Sequence, residues 1–84
     1  MTYSLKIKSS ALKEIRALPG AERARVVAAI DSLPERPHRG TQLKGELTGM
    51  RRLRVGRYRI IYEVQDRCLV VLVLRVGHRR DVYR

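Results

Sequence analysis

The chain opens on strict alternation. Tyr3, Leu5 and Ile7 are apolar, and Ser4, Lys6 and Lys8 between them are polar. A period of two predicts a half-buried strand. Ser9-Ser10 then offers a helix N-cap, because a serine hydroxyl can bond a free amide of the first turn. Leu12, Ile15 and Leu18 follow at helical spacing, and Pro19-Gly20 interrupts them. Residues 21–33 resume the helical period with Val26, Ile30 and Leu33 on one face, and Pro34 closes it. These residues predict a helical hairpin. Residues 35–49 are polar, contain Pro37, Gly40, Gly45 and Gly49, and are expected to be mostly loop.

The rest returns to period two. Leu53 and Val55 alternate with Arg52 and Arg54, and Tyr58, Ile60, Tyr62 and Val64 alternate with Arg59, Ile61 and Glu63. Gly56-Arg57 lies between them as a two-residue turn, where glycine accepts the positive φ such turns require. That turn pairs Val55 with Tyr58, Arg54 with Arg59 and Arg52 with Ile61. Directly opposed residues share a face. Leu53, Val55, Tyr58, Ile60 and Tyr62 therefore face the helices, and Arg52, Arg54 and Arg59 face away. Arg57 lies in the turn, and Arg51 points to the helix side.

Residues 68–76 form a third strand of this meander. Burying Arg75 under the helices would be costly without a partner. The register that avoids this puts Val70, Leu72 and Leu74 on the helix face, with an odd loop at Gln65-Asp66-Arg67. Arg75 then joins the arginine face, and Arg79 does too if the parity continues past Gly77. The expected architecture is a single α+β domain over residues 1–84, ordered β-α-α-β-β-β. A four-stranded, mainly antiparallel sheet carries the helical hairpin on one face and leaves the other open.

Charge changes the meaning of that open face. The 84 residues carry a formal net charge of +11. Residues 43–84 hold eleven Lys or Arg against four acids, and residues 1–42 hold eight against four. Such an excess calls for a polyanionic partner. No long apolar run or basic amphipathic helix supports a membrane. One cysteine, Cys68, excludes an internal disulfide, and His38 and His78 with it are too few for a zinc centre. No metal and no cofactor are expected. The start at Met1-Thr2-Tyr3-Ser4 runs straight into the first strand without a signal peptide, so a cytoplasmic location is expected.

The element order, the segment Leu53-Arg54-Val55-Gly56-Arg57-Tyr58-Arg59-Ile60-Ile61-Tyr62 and the ending Val76-Gly77-His78-Arg79-Arg80-Asp81-Val82-Tyr83-Arg84 resemble the RelE/ParE superfamily of toxins from toxin–antitoxin pairs. The Gly-His-Arg ending with a tyrosine nearby is similar to the RelE branch, whose members cleave messenger RNA in the ribosomal A site. The resemblance implies a toxin of a type II toxin–antitoxin system, active as an endoribonuclease on the ribosome. It also implies a cognate antitoxin that wraps the toxin, and operator DNA bound only through that complex. By position, the resemblance makes Arg59 the residue that holds the scissile phosphate. Arg79 stabilises the transition state or helps the leaving group, and Tyr83 stacks on or orients the nucleotide. Arg52 stands where the branch commonly has a lysine beside the attacking hydroxyl. Arg54, Arg57, Arg75, His78 and Arg80 are expected to contact RNA.

RNA is cut without metal when its own 2′-hydroxyl attacks the adjacent phosphate. Arginines suit the stabilisation of the added charge. They suit proton removal poorly, since a guanidinium has almost no free base at neutral pH. Tyr83, His78 or a group of the ribosome or RNA remains open as the proton acceptor. Two other functions stay open: a ParE-like protein that acts on DNA gyrase, and a non-catalytic RNA-binding toxin homologue. The arginines also suit an acidic antitoxin as a docking surface.

Overall fold

A computed structural model describes residues 2–78. Strand β1 (Ser4–Ile7) leads into helices α1 (Ser9–Arg16) and α2 (Gly20–Ser32). The two-residue strand β2 (Thr41–Gln42) and a 3-10 turn (Gly45–Leu47) follow. Strands β3 (Met50–Val55), β4 (Tyr58–Gln65) and β5 (Val70–His78) complete the described chain. The sheet order is β1-β5-β4-β3-β2, with β1 parallel to β5 and the other neighbours antiparallel.

The fold class and element types follow the periodicities, with one addition. Thr41 and Gln42, inside the expected loop, pair with Arg52 and Arg51 and make a fifth strand at the sheet edge. Both residues are exposed, so no apolar alternation marked them.

Helix α1 begins at Ser9, so the residue at its N-cap lies one position before the serine pair. Lys8 is its N-cap, and no side chain caps it. The Lys8 amide still bonds Val73 of the sheet while its carbonyl already accepts the Leu12 amide. Strand therefore passes into helix through Lys8 alone. The helix consequently buries Ala11 and Ile15 and leaves Leu12 exposed. Pro19 caps α2, its carbonyl accepting the Arg23 amide. Val26, Ile30 and Leu33 are buried as expected.

The β3–β4 hairpin has the expected register throughout: Val55 opposite Tyr58, Arg54 opposite Arg59, Arg52 opposite Ile61. Gly56 in its turn has φ +59°. The β4–β5 pairing differs from expectation. Opposed numbers sum to an even value only from Tyr58–His78 to Ile61–Arg75, and a bulge between Ile61 and Tyr62 then shifts the register. The helix-facing residues of β5 are consequently Val71, Val73 and Val76, each at most 1% exposed. Leu72 and Leu74 are only half-buried. The strand is apolar on both faces, so either parity fits its first half, and the bulge lets Val73 and Arg75 occupy opposite sides. The loop between the strands is the four residues 66–69, with Leu69 at φ +54°. Ile15, Val26, Ile30, Leu33, Leu53, Ile60, Tyr62, Val71, Val73 and Val76 form one core between helices and sheet.

Candidate nucleic-acid interface

The face of the sheet away from the helices is built in rows across the strands. One row reads Thr41, Arg52, Ile61, Arg75, and the next reads Arg54, Arg59, Gly77. Neighbouring strands lie about 4.8 Å apart, so Arg52 and Arg75 flank Ile61 and Arg54 stands directly opposite Arg59. Opposed like charges cost a sheet stability. Arg54 is exposed and Arg59 half-buried. Gly77 brings no side chain to the space beside Arg59.

The strands thus gather Arg52, Arg54, Arg59 and Arg75 on one face, as the sequence implied. Arg57 is exposed in the adjoining turn. His78 is elsewhere: it pairs with Tyr58, a helix-side position, and its ring meets Tyr58 edge-on at 6.1 Å between centroids. The structure therefore separates His78 from the four-arginine face. Arg79, Arg80 and Tyr83 lie outside the described residues.

Arg51 takes no part in the face. Its Nη1 donates to the carbonyls of Gly40 at 2.8 Å and His38 at 3.2 Å. Tyr62, fully buried, works with it. Its hydroxyl donates to the Pro37 carbonyl at 2.9 Å and accepts the Gly40 amide at 2.8 Å. Burial raises the Tyr62 phenol above its ordinary pKa, with the Gly40 amide pulling partly the other way. Together these side chains tie residues 37–40 to the sheet and place Arg39 beside Arg52 and Arg54. Arg39, Gly40, Thr41, Arg52, Leu53 and Arg54 line an open depression of ≈ 370 Å³. Arg39 had no distinguishing signal in the sequence, because its neighbourhood depends on the hydroxyl of a tyrosine 23 positions away.

The open face is not uniformly polar. Leu47, Met50, Ile61 and Leu74 line a second depression of ≈ 280 Å³, with Lys8 and Arg75 at its side. Ile61 is only 4% exposed there. An apolar floor beside fixed cations suits a ligand with flat apolar rings and anionic groups, which is the make-up of a nucleotide strand. Among the described residues, no His, Cys, Asp and Glu side chains group in threes as metal ligands would. No described helix is long and apolar enough to cross a membrane.

A separate polar cluster lies past the far end of β4. The Tyr3 hydroxyl donates to Asp66 Oδ1 at 2.6 Å, and His38 Nε2 lies 3.2 Å from the same oxygen. The Tyr3 bond lowers the Asp66 carboxyl and raises the Tyr3 phenol relative to their ordinary values. Tyr3 and Asp66 belong to β1's entry and the β4–β5 loop, so the cluster closes the sheet at that end.

Comparison with known proteins places this geometry in a family. The family profile described as the ParE toxin of the type II toxin–antitoxin system parDE matches residues 5–83. Toxin RelG of Mycobacterium tuberculosis is 37% identical over 86 residues, covering 100% of this chain and 99% of the relative. Toxin RelE of the same organism is 30% identical, covering 98% and 87%. Among solved structures, the toxin–antitoxin complex RelBE2 of M. tuberculosis superposes with a TM-score of 0.86 at 33% identity, covering 94% of this chain and 100% of that one. The archaeal RelE–RelB complex of Pyrococcus horikoshii superposes with a TM-score of 0.80 at 31% identity, covering 98% and 100%. The chain belongs to the RelE/ParE superfamily of toxins of type II toxin–antitoxin systems.

Proposed function

We propose that this toxin is a ribosome-dependent endoribonuclease that holds messenger RNA on its arginine face. The observation that carries the reading is the facing pair Arg54 and Arg59, with Arg52 and Arg75 in the adjoining row. Guanidinium groups gathered on one rigid surface are favourable around phosphates. The RelE-type names of the relatives and the Gly77-His78-Arg79 ending support the same branch.

The chemistry transfers the phosphate within the RNA. The 2′-oxygen forms a bond to phosphorus as its proton leaves, the bond to the 5′-oxygen breaks, and that oxygen takes up a proton. The products are a 2′,3′-cyclic phosphate and a 5′-hydroxyl. Arg59 grips the phosphate oxygens, and Arg52 lies toward the attacking side. Arg79 stabilises the charge gained in the transition state, and Tyr83 stacks on the nucleotide. Arg54, Arg57, Arg75 and Arg80 hold flanking phosphates, and His78 contacts RNA from the sheet's end. Tyr83 and a ribosomal or RNA group share the candidacy for proton acceptor, since His78 lies off the arginine face. A cognate antitoxin covers the toxin in the cytoplasm; the similar M. tuberculosis structure is a toxin–antitoxin complex. Operator DNA is reached only through that complex.

The test is to add the purified chain to translating ribosomes and map new messenger ends. Cuts inside reading frames are expected, and Arg59→Ala should slow them about 100-fold or more, as loss of one preorganised charge typically does. Arrested translation with no new messenger ends would sink the proposal. A second reading rests on the ParE description of the matching family. A toxin acting on DNA gyrase would produce gyrase–DNA cleavage complexes in treated cells and leave messenger ends unchanged.

A further inference from the structure

β5 outruns the strand beside it. β1 pairs with β5 only from Val70 to Val73. From there to His78, the side of β5 away from β4 has no strand against it among the described residues. Exposed edge amides fray or recruit other chains. Here one side chain meets that edge. Glu14, on α1, accepts the Val76 amide at 3.0 Å through Oε1, and its Oε2 lies 3.5 Å from Arg75 Nη2. Its side chain is 30% exposed. A carboxylate accepting a backbone amide makes a bond about twice as strong as a neutral one.

We propose that Glu14 is a positioning residue for the reaction. Its carboxylate takes the place of the missing neighbour strand and clamps the end of β5 from the helix side. That end carries Gly77, which lies opposite Arg59. The same carboxylate draws the Arg75 guanidinium to the sheet edge, so that Arg75 bounds the face on the side opposite Arg52. The role in the reaction rests on the endoribonuclease reading, whereas the clamp itself does not.

The test uses the purified full chain with Glu14→Ala and Glu14→Gln. Glutamine keeps an acceptor oxygen for Val76 and loses the charge. In Glu14→Ala, amide exchange at Val76, Gly77 and His78 is expected to quicken about tenfold or more. The core amides of Ile30, Ile60 and Val71 should be unchanged. In RNA cleavage, kcat should fall about tenfold with KM within about twofold, as expected when an effect falls on the transition state. Glu14→Gln should restore most of both. Unchanged exchange at Val76–His78 overturns the clamp. Faster exchange across the core, or faster local exchange with unchanged kcat, overturns the positioning role. If the wild-type chain cuts no RNA, the endoribonuclease reading falls, and exchange alone decides whether Glu14 clamps β5.

Discussion

Tyr62 shows how much one atom can organise. Its ring fills the core and its hydroxyl pairs two backbone groups of the 37–40 segment. Removing only that oxygen leaves a buried amide and carbonyl without their partner. Tyr62→Phe should therefore cost about 1–3 kcal/mol, read as a lower urea midpoint with an unchanged slope. A variant as stable as the parent would show that water replaces the hydroxyl there. Asp66 offers a pH probe on the opposite end. Its carboxyl titrates below the ordinary 3.8 because Tyr3 donates to its charged form. A lowered acid contributes stability above its unfolded value and loses it as pH falls through the folded one. Tyr3, raised above 10.0, contributes below that pH and loses its share as pH climbs past it. The contact should thus hold across the neutral range. Carboxyl NMR of Tyr3→Phe should show the Asp66 midpoint moving up toward 3.8, and no movement would refute the assignment.

At the scale of elements, the tightest constraint is where β2 meets β3. A Cβ on Gly40 would lie 2.7 Å from the Arg52 carbonyl oxygen and 2.7 Å from the Tyr62 hydroxyl. The first is backbone in a paired strand and cannot step aside cheaply. Gly40→Ala should cost about 1–3 kcal/mol through overpacking and weaken RNA binding by shifting Arg52, measured by melting and by titration with a short RNA. Unchanged melting would mean that the edge strand yields freely. This junction was invisible in the sequence, since it depends on an exposed two-residue strand and a distant hydroxyl. The β3–β4 hairpin was fully legible, because a two-residue turn with glycine at φ +59° leaves one register. The β5 register was legible only near Arg75. Val70, Val71, Leu72, Val73 and Leu74 give no polar side to count from, and the bulge that reverses parity lies within that run. Arg52, Arg54, Arg59 and Arg75 nonetheless lie on the expected face, since the cost of burying Arg75 outweighs any preference among valines and leucines.

Across the whole molecule, the charge has a direction. The sheet carries its arginines away from the helical layer, and Arg51, whose guanidinium serves the 37–40 segment, is the exception. Binding to single-stranded RNA should weaken with salt by about 0.7 log units per log unit for each phosphate neutralised. Arg54→Ala should flatten that slope by about 0.7, whereas Arg51→Ala should lower stability and leave the slope nearly as it was. Equal slopes for Arg54→Ala and the parent would mean that RNA binds elsewhere.

β5 sits between β1 and β4, yet it is the last element described in the chain. During synthesis, the first strand waits for a neighbour that is translated sixty-six residues later. Until β5 emerges, β4 lacks one flank: Gly77 is absent from beside Arg59 and Arg75 from beside Ile61. Long-range parallel pairing of this kind also closes slowly. A nascent copy of the chain therefore carries an unfinished arginine face until β5 has left the ribosome.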